Sequence, residues 1–140
     1  KDHPNALAPD KRPYHTIIPG MTMREGELHG PFGVMGGFMQ PQGHVQVIVN
    51  MVDFELNPQE ALDSPRFCIM DGTSGGKVAV EEGIPITKMG KLVNMGHEVI
   101  PLTGYSRSTF GRGQIILRNP DTGVLCAGSD PRGDGQAIAW

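Results

Sequence analysis

Two adjacent glycines, Gly36-Gly37, close the run Gly30-Pro-Phe-Gly-Val-Met-Gly-Gly37 and stand just before Gln40-Pro-Gln-Gly-His44. The residues before them are strand-like and those after them helix-like. Glycines at such a junction let the backbone approach a ligand closely and aim successive N–H groups at one point, a geometry that holds an oxyanion. The competing reading is a close-packed turn with no chemistry, and only the surrounding sequence separates the two. Gln40, Gln42 and His44 follow at the expected start of a helix, where anions are favoured. They either line a pocket or cap the helix. The five histidines, His3, His15, His29, His44 and His97, lack ligand spacing, so no metal site and no cofactor are expected.

The elements that must position this turn are legible from periodicity. Residues 16–23 and 27–34 are β-branched and apolar around Arg24-Glu-Gly26, which predicts a hairpin that delivers the chain to the glycine pair. Residues 44–56 fit both a strand alternation and a helix face, and their length favours a helix. Asn57-Pro58 with Glu60 predicts a capping box with proline at the first helical position, and Pro65 ends that short helix. Residues 67–70 and 77–80 read as strands. Residues 85–95 read as an amphipathic helix stopped by Gly96. Residues 99–102, 114–117 and 124–127 read as closing strands, with Asp121-Thr-Gly123 as a turn. The order predicts an α+β fold in which helices cover one face of a mostly antiparallel sheet.

With 140 residues the chain is one domain's worth. Its 20 glycines and 12 prolines are interleaved with Val, Ile, Leu and Met, which indicates a turn-rich folded domain rather than disorder. A net charge of −3 with no basic run argues against nucleic acid, and no apolar run is long enough for a membrane-spanning helix. Cys68 and Cys126 have no CxxC pattern and read as two buried, reduced thiols. The setting leans cytoplasmic, with periplasm or secretion left open. The chain opens on Lys1-Asp-His-Pro without an initiator Met, which reads as a fragment or a proteolytic product. Residues 1–13, with three prolines and no hydrophobic period, read as an extended leading segment, and residues 14–140 as the domain proper.

Lys11-Arg-Pro13, Gly36-Gly37, Asn57-Pro-Gln-Glu-Ala-Leu-Asp-Ser-Pro-Arg-Phe67 and Gly128-Ser-Asp-Pro-Arg132 occur in an order that resembles the gamma-glutamyltranspeptidase family over nearly the whole chain. The resemblance implies an N-terminal nucleophile hydrolase, an αββα sandwich made as a precursor that cuts itself into a large and a small subunit. It implies that residues 14–140 are the C-terminal part of the small subunit, lacking its first strands. The nucleophile, an N-terminal Thr that uses its own α-amine as base, then lies upstream. The implied partners are the large subunit, the N-terminal part of the small subunit and a small-molecule amide. Gly36 and Gly37 match the family's oxyanion glycines, and Asp130 with Arg132 read as a structural ion pair and turn.

Pro13-Tyr-His-Thr-Ile-Ile-Pro19 falls where typical transpeptidases carry Arg-Pro-Leu-Ser-Ser-Met-Ser-Pro. His15 and Thr16 thus replace the two serines that hold the glutamyl α-carboxylate, which points to a smaller or differently charged acyl group. The pattern is more similar to transpeptidase-related amidohydrolases, including the oxamate amidohydrolase type, with cephalosporin-acylase-type activity as an alternative. Expected substrate-binding residues are His15, Thr16, Gln40 and Gln42. An alternative of another class is a non-catalytic binding or assembly module with this fold.

Overall fold

The computed structural model describes residues 3–140, so the first two residues of the leading segment lie outside the described residues. Residues 3–19 carry turns and no helix or strand. The hairpin follows as β1 (Gly20–Arg24) and β2 (Glu27–Met35), antiparallel, with Gly20 opposite Phe32. Beyond the glycine pair come α1 (Met39–Val52), α2 (Pro58–Asp63), β3 (Phe67–Ile69), β4 (Val78–Glu81), α3 (Ile86–Asn94) and β5 (Val99–Leu102). A 3₁₀ segment, Gly104–Phe110, leads into β6 (Arg112–Arg118) and β7 (Leu125–Ser129).

The strands form two sheets, β1-β2-β6-β7 and β3-β4-β5. The α+β expectation holds. The first sheet is antiparallel throughout, whereas β4 and β5 run parallel with α3 as their crossover, a unit that strand patterns alone had not distinguished. α1 and α2 cover one face of the four-stranded sheet, where Val34, Val47, Ala61, Leu62 and Ile115 are buried together. Complete burial of each large aliphatic side chain contributes about 1.5–3 kcal/mol. Met39, Cys68, Ala79 and Phe110 make a second core beneath the start of α1. The opposite face of the sheet, which strand register assigns to Met21, Met35, Ile116 and Leu125, leaves those four side chains exposed.

Three expectations are corrected. β1 begins at Gly20 rather than Thr16, because the Val34 N–H that would pair with residue 18 is taken by the His44 ring instead. α1 begins at Met39 rather than His44. Pro41 sits in its first turn, where a missing N–H costs nothing, since the first N–H groups of a helix have no partner within it. Cys68 is buried, but Cys126 is exposed, since α2 packs on β7 at Gly128 and Ser129 and leaves Cys126 bare. Elsewhere the local signals match: Asn57 and Glu60 form the capping box, Gly96 ends α3 with φ +95°, and Asn119–Val124 closes the β6–β7 turn.

Candidate active site

The chain leaves β2 at Met35 and enters α1 at Met39, so Gly36 and Gly37 are the junction itself. Both have positive φ, +135° and +59°, which glycine adopts without a Cβ penalty. A Cβ on Gly36 would lie 3.1 Å from Met39 Cβ and 3.2 Å from the Gly111 Cα, whereas one on Gly37 would meet nothing within 4 Å. Gly36 is therefore packed from below and Gly37 faces open space. Their carbonyls accept the Met39 and Gln40 N–H groups at 3.0 and 3.1 Å. Among the described residues no acceptor takes the N–H of Gly36 or Gly37. The two unclaimed N–H groups stand just ahead of a 14-residue helix, a position at which backbone donors are available to an anion.

The Gly36–Gly37 turn is supported from two sides. On one side, Gly111 has φ +72°, and a Cβ there would fall 2.1 Å from the Met35 oxygen, so β6 passes directly under the turn. Arg66 fixes that approach by donating from Nη1 to the Phe110 carbonyl at 3.0 Å. Arg66 belongs to a buried cluster: its Nη2 meets Asp130 Oδ2 at 2.8 Å, and Arg132 donates from Nε and Nη2 to the two oxygens of Glu81. Asp130 also accepts from the Gly113 N–H at 2.7 Å and from Arg132 Nη1 at 3.1 Å, the ion pair expected from the sequence. Burial opposes ionisation of Glu81, but hydrogen bonds from Arg132 and Arg107 outweigh it and hold the carboxyl below its ordinary range. Burial and the nearby Arg132 charge lower Arg66, whose Nε has no partner among the described residues.

On the other side is His44. Its Nε2 accepts the Val34 N–H at 3.0 Å, and its ring lies 5.1 Å from that of Phe32. A ring that accepts at Nε2 is neutral, with its proton on Nδ1. Burial lowers its pKa, in the same direction. His44 thus caps β2 instead of facing a ligand.

The substrate candidates are distributed unevenly. Gln40 Nε2 donates to the Thr16 carbonyl at 2.7 Å, which draws the otherwise exposed His15-Thr16 segment to the start of α1, beside the turn. Gln42 points elsewhere: its amide accepts from the Ile69 N–H at 2.7 Å and donates to the Ile69 and Phe38 carbonyls at 3.1 and 2.9 Å. With both protons spent on backbone, Gln42 is a brace on β3. Sequence reasoning passed over Gln46, Glu81 and Gly111. The Gln42-x-x-x-Gln46 spacing was the signal for the first, two amides on one helix face.

The whole chain, residues 1–140, matches the Gamma-glutamyltranspeptidase family model. The chain belongs to the gamma-glutamyltranspeptidase family. It is 33% identical over 141 residues to the glutathione hydrolase-like YwrD proenzyme of Bacillus subtilis, covering 99% of this chain and 26% of that protein. It is 29% identical over 140 residues to the oxamate amidohydrolase proenzyme of Klebsiella pneumoniae, with 99% and 26% covered. The solved structure of cephalosporin acylase from Bacillus halodurans superposes with a TM-score of 0.83 at 52% identity, covering 99% of this chain and 25% of that one. The chain therefore spans about a quarter of the length of these family members. Their N-terminal nucleophile hydrolase fold is the α+β architecture described above.

Proposed function

We propose that this chain supplies the oxyanion-binding turn and part of the acyl pocket of a gamma-glutamyltranspeptidase-like amidohydrolase or acyl transferase. The observation that carries the reading is the unclaimed pair of N–H groups at Gly36 and Gly37, just ahead of the α1 N-terminus. A Thr upstream of residue 1, at the new N-terminus of a processed precursor, attacks the amide carbonyl with its α-amine as base. The tetrahedral oxyanion is then held by the glycine N–H groups, the leaving amine departs, and water or an amine takes the acyl group. The large subunit and the preceding part of the small subunit are the partners, and the sheet face bearing Met21, Met35, Ile116 and Leu125 is where they pack.

Gln40, His15 and Thr16 border the acyl group. With an imidazole where the family's glutamyl enzymes carry a serine hydroxyl, the favoured donor is an amide lacking the glutamyl α-carboxylate. The resemblance to acylase and amidohydrolase relatives supports the same choice. The test uses the full-length processed protein with gamma-glutamyl-p-nitroanilide, oxamate and a glutaryl-cephalosporin. Hydrolysis of one of the latter two with kcat/KM at least tenfold above that for the glutamyl anilide is the expected result. Absence of turnover on all three overturns the reading in favour of a non-catalytic module.

A further inference from the structure

β3 is an edge strand of its sheet. Cys68 and the residues flanking it pair with β4, which leaves the N–H and C=O groups of Phe67 and Ile69 pointing away from the sheet. An open edge of this kind is ordinarily met by a neighbouring strand. Here it is met by two side chains of α1. Gln42 accepts from the Ile69 N–H at 2.7 Å and donates to the Ile69 carbonyl at 3.1 Å. Gln46 accepts from the Phe67 N–H and donates to the Phe67 carbonyl, each at 3.0 Å. Each carboxamide acts as a peptide group, and the pair substitutes for the missing strand. The spacings agree: four residues of helix rise about 6 Å, and two residues of antiparallel strand about 6.8 Å.

The same Gln42 amide also donates to the Phe38 carbonyl at 2.9 Å, one residue after the glycine pair. Gln46 in turn donates to the Gln42 carbonyl at 3.0 Å, which continues the brace along the helix. The start of α1 is thereby joined to β3 through donors and acceptors that have one fitting arrangement. Both glycine N–H groups depend on where that first helical turn sits, because Gly36 and Gly37 anchor it through the Met39 and Gln40 N–H groups.

We infer that Gln42 and Gln46 are positioning residues for the oxyanion turn, an amide clamp that sets the Gly36 and Gly37 N–H groups by docking α1 on the edge of β3. The inference rests on the proposed acyl-transfer function for its kinetic consequence, and on the geometry alone for the clamp.

Gln42→Met and Gln46→Met keep side-chain length and remove the amide. In the full-length processed enzyme, each is expected to lower kcat by about tenfold or more while KM changes less than threefold. A boronic acid analogue of the acyl group, which presents a tetrahedral oxyanion, should weaken in parallel with kcat. Counting active sites by burst titration removes any contribution from misfolded protein. Should Gln42→Met fail to fold, Gln42→Glu keeps the shape and the acceptor but loses the donor, and the same outcome is expected. Hydrogen exchange supplies the second arm: exchange should rise at the Phe67 and Ile69 amides and, with them, at Met39 and Gln40. Unchanged kcat and boronate affinity, or faster exchange confined to residues 67–69, overturns the clamp. An unmodified enzyme without amide turnover overturns the proposed function instead, and the exchange arm still decides the clamp.

Discussion

Arg66 donates from Nη1 to the Phe110 carbonyl at 3.0 Å, and through that bond a buried ion cluster reaches the backbone that supports the glycine turn. Phe110 precedes Gly111, whose Cα lies against Gly36. The cluster also joins elements distant in sequence: Arg66 before β3, Glu81 at the end of β4, and Asp130 and Arg132 after β7. Buried charges of this kind add little net stability compared with apolar side chains, but removing one partner strands the others. Their contribution here is to fix how the two sheets meet.

Removal of the Arg66 guanidinium tests that relationship. Arg66→Met leaves Asp130 with one of its two guanidinium partners and frees the Phe110 carbonyl, and it should destabilise the protein by about 3–5 kcal/mol. The double variant Arg66→Met with Asp130→Asn should recover part of the loss, because the stranded charge is gone. Shifts of the denaturation midpoint measure both. Additive losses in the double variant would show that the two residues do not act as a unit.

The proposed oxyanion role makes glycine at position 37 a requirement of chemistry more than of space. A Cβ there meets nothing, but φ of +59° is costly for a β-branched residue. Gly37→Val should lower kcat by at least about 10², with a smaller change in KM, since the oxyanion contact strengthens only as the carbonyl becomes tetrahedral. Steady-state kinetics on a folded variant that retains near-normal kcat would remove the pair from the mechanism.

His44 makes stability depend on pH in a defined direction. Its pKa in the folded chain is lowered from 6.5 by burial, so the unfolded chain binds more protons between the two values. The contribution of the Val34 cap is complete above pH 6.5 and is lost as pH falls through the lowered folded value. Melting temperatures from pH 8 down to 5 should therefore drop more steeply for the unmodified protein than for His44→Gln, whose amide accepts without titrating. Parallel curves would show that the ring does not carry the cap.

Glu81 extends the dependence to lower pH. Its carboxyl is held below 4.5 despite burial, by Arg132 first and then Arg107. Its stabilisation is present above 4.5 and lost as pH falls through the depressed value. Glu81→Gln should flatten the acid limb of the stability profile while lowering stability at neutral pH, as read from denaturation midpoints at pH 7 and pH 3.

The sequence made local punctuation legible and left long-range substitution obscure. Asn57 with Glu60, Gly96 and the Asp121-Thr-Gly123 turn are set by neighbours within a few residues, and each appears where its pattern put it. Thr16-Ile-Ile18 looks like the first part of β1, yet the partner it needs at Val34 is occupied by a ring 10 residues further on. The first turn of α1 was hidden by Pro41 and Gly43, which discourage a helix except at its start. Gln42 reads as a pocket residue until β3, 27 residues away, comes to rest against it. The glycine pair was visible as a candidate because the chemistry proposed for it resides in backbone conformation, which glycine signals directly.

The last prediction concerns the acyl group. Thr16 is held beside the turn through its carbonyl, which leaves its hydroxyl and the His15 ring exposed toward solvent. A glutamyl α-carboxylate placed there lacks one of the two hydroxyl donors that the family pattern supplies, and hydrogen bonds to a charged group are worth about 1.5–3 kcal/mol each. Thr16 retains one hydroxyl, so the deficit is one bond together with the bulk of the imidazole. The double change His15→Ser with Thr16→Ser should raise kcat/KM for gamma-glutamyl-p-nitroanilide by about tenfold or more in the full-length enzyme. The gain should fall mainly in KM if the carboxylate contact is equal in ground and transition states. An unmodified enzyme that already turns over this anilide efficiently, and gains nothing from the exchange, would place the pair outside the acyl pocket and return the specificity to gamma-glutamyl transfer.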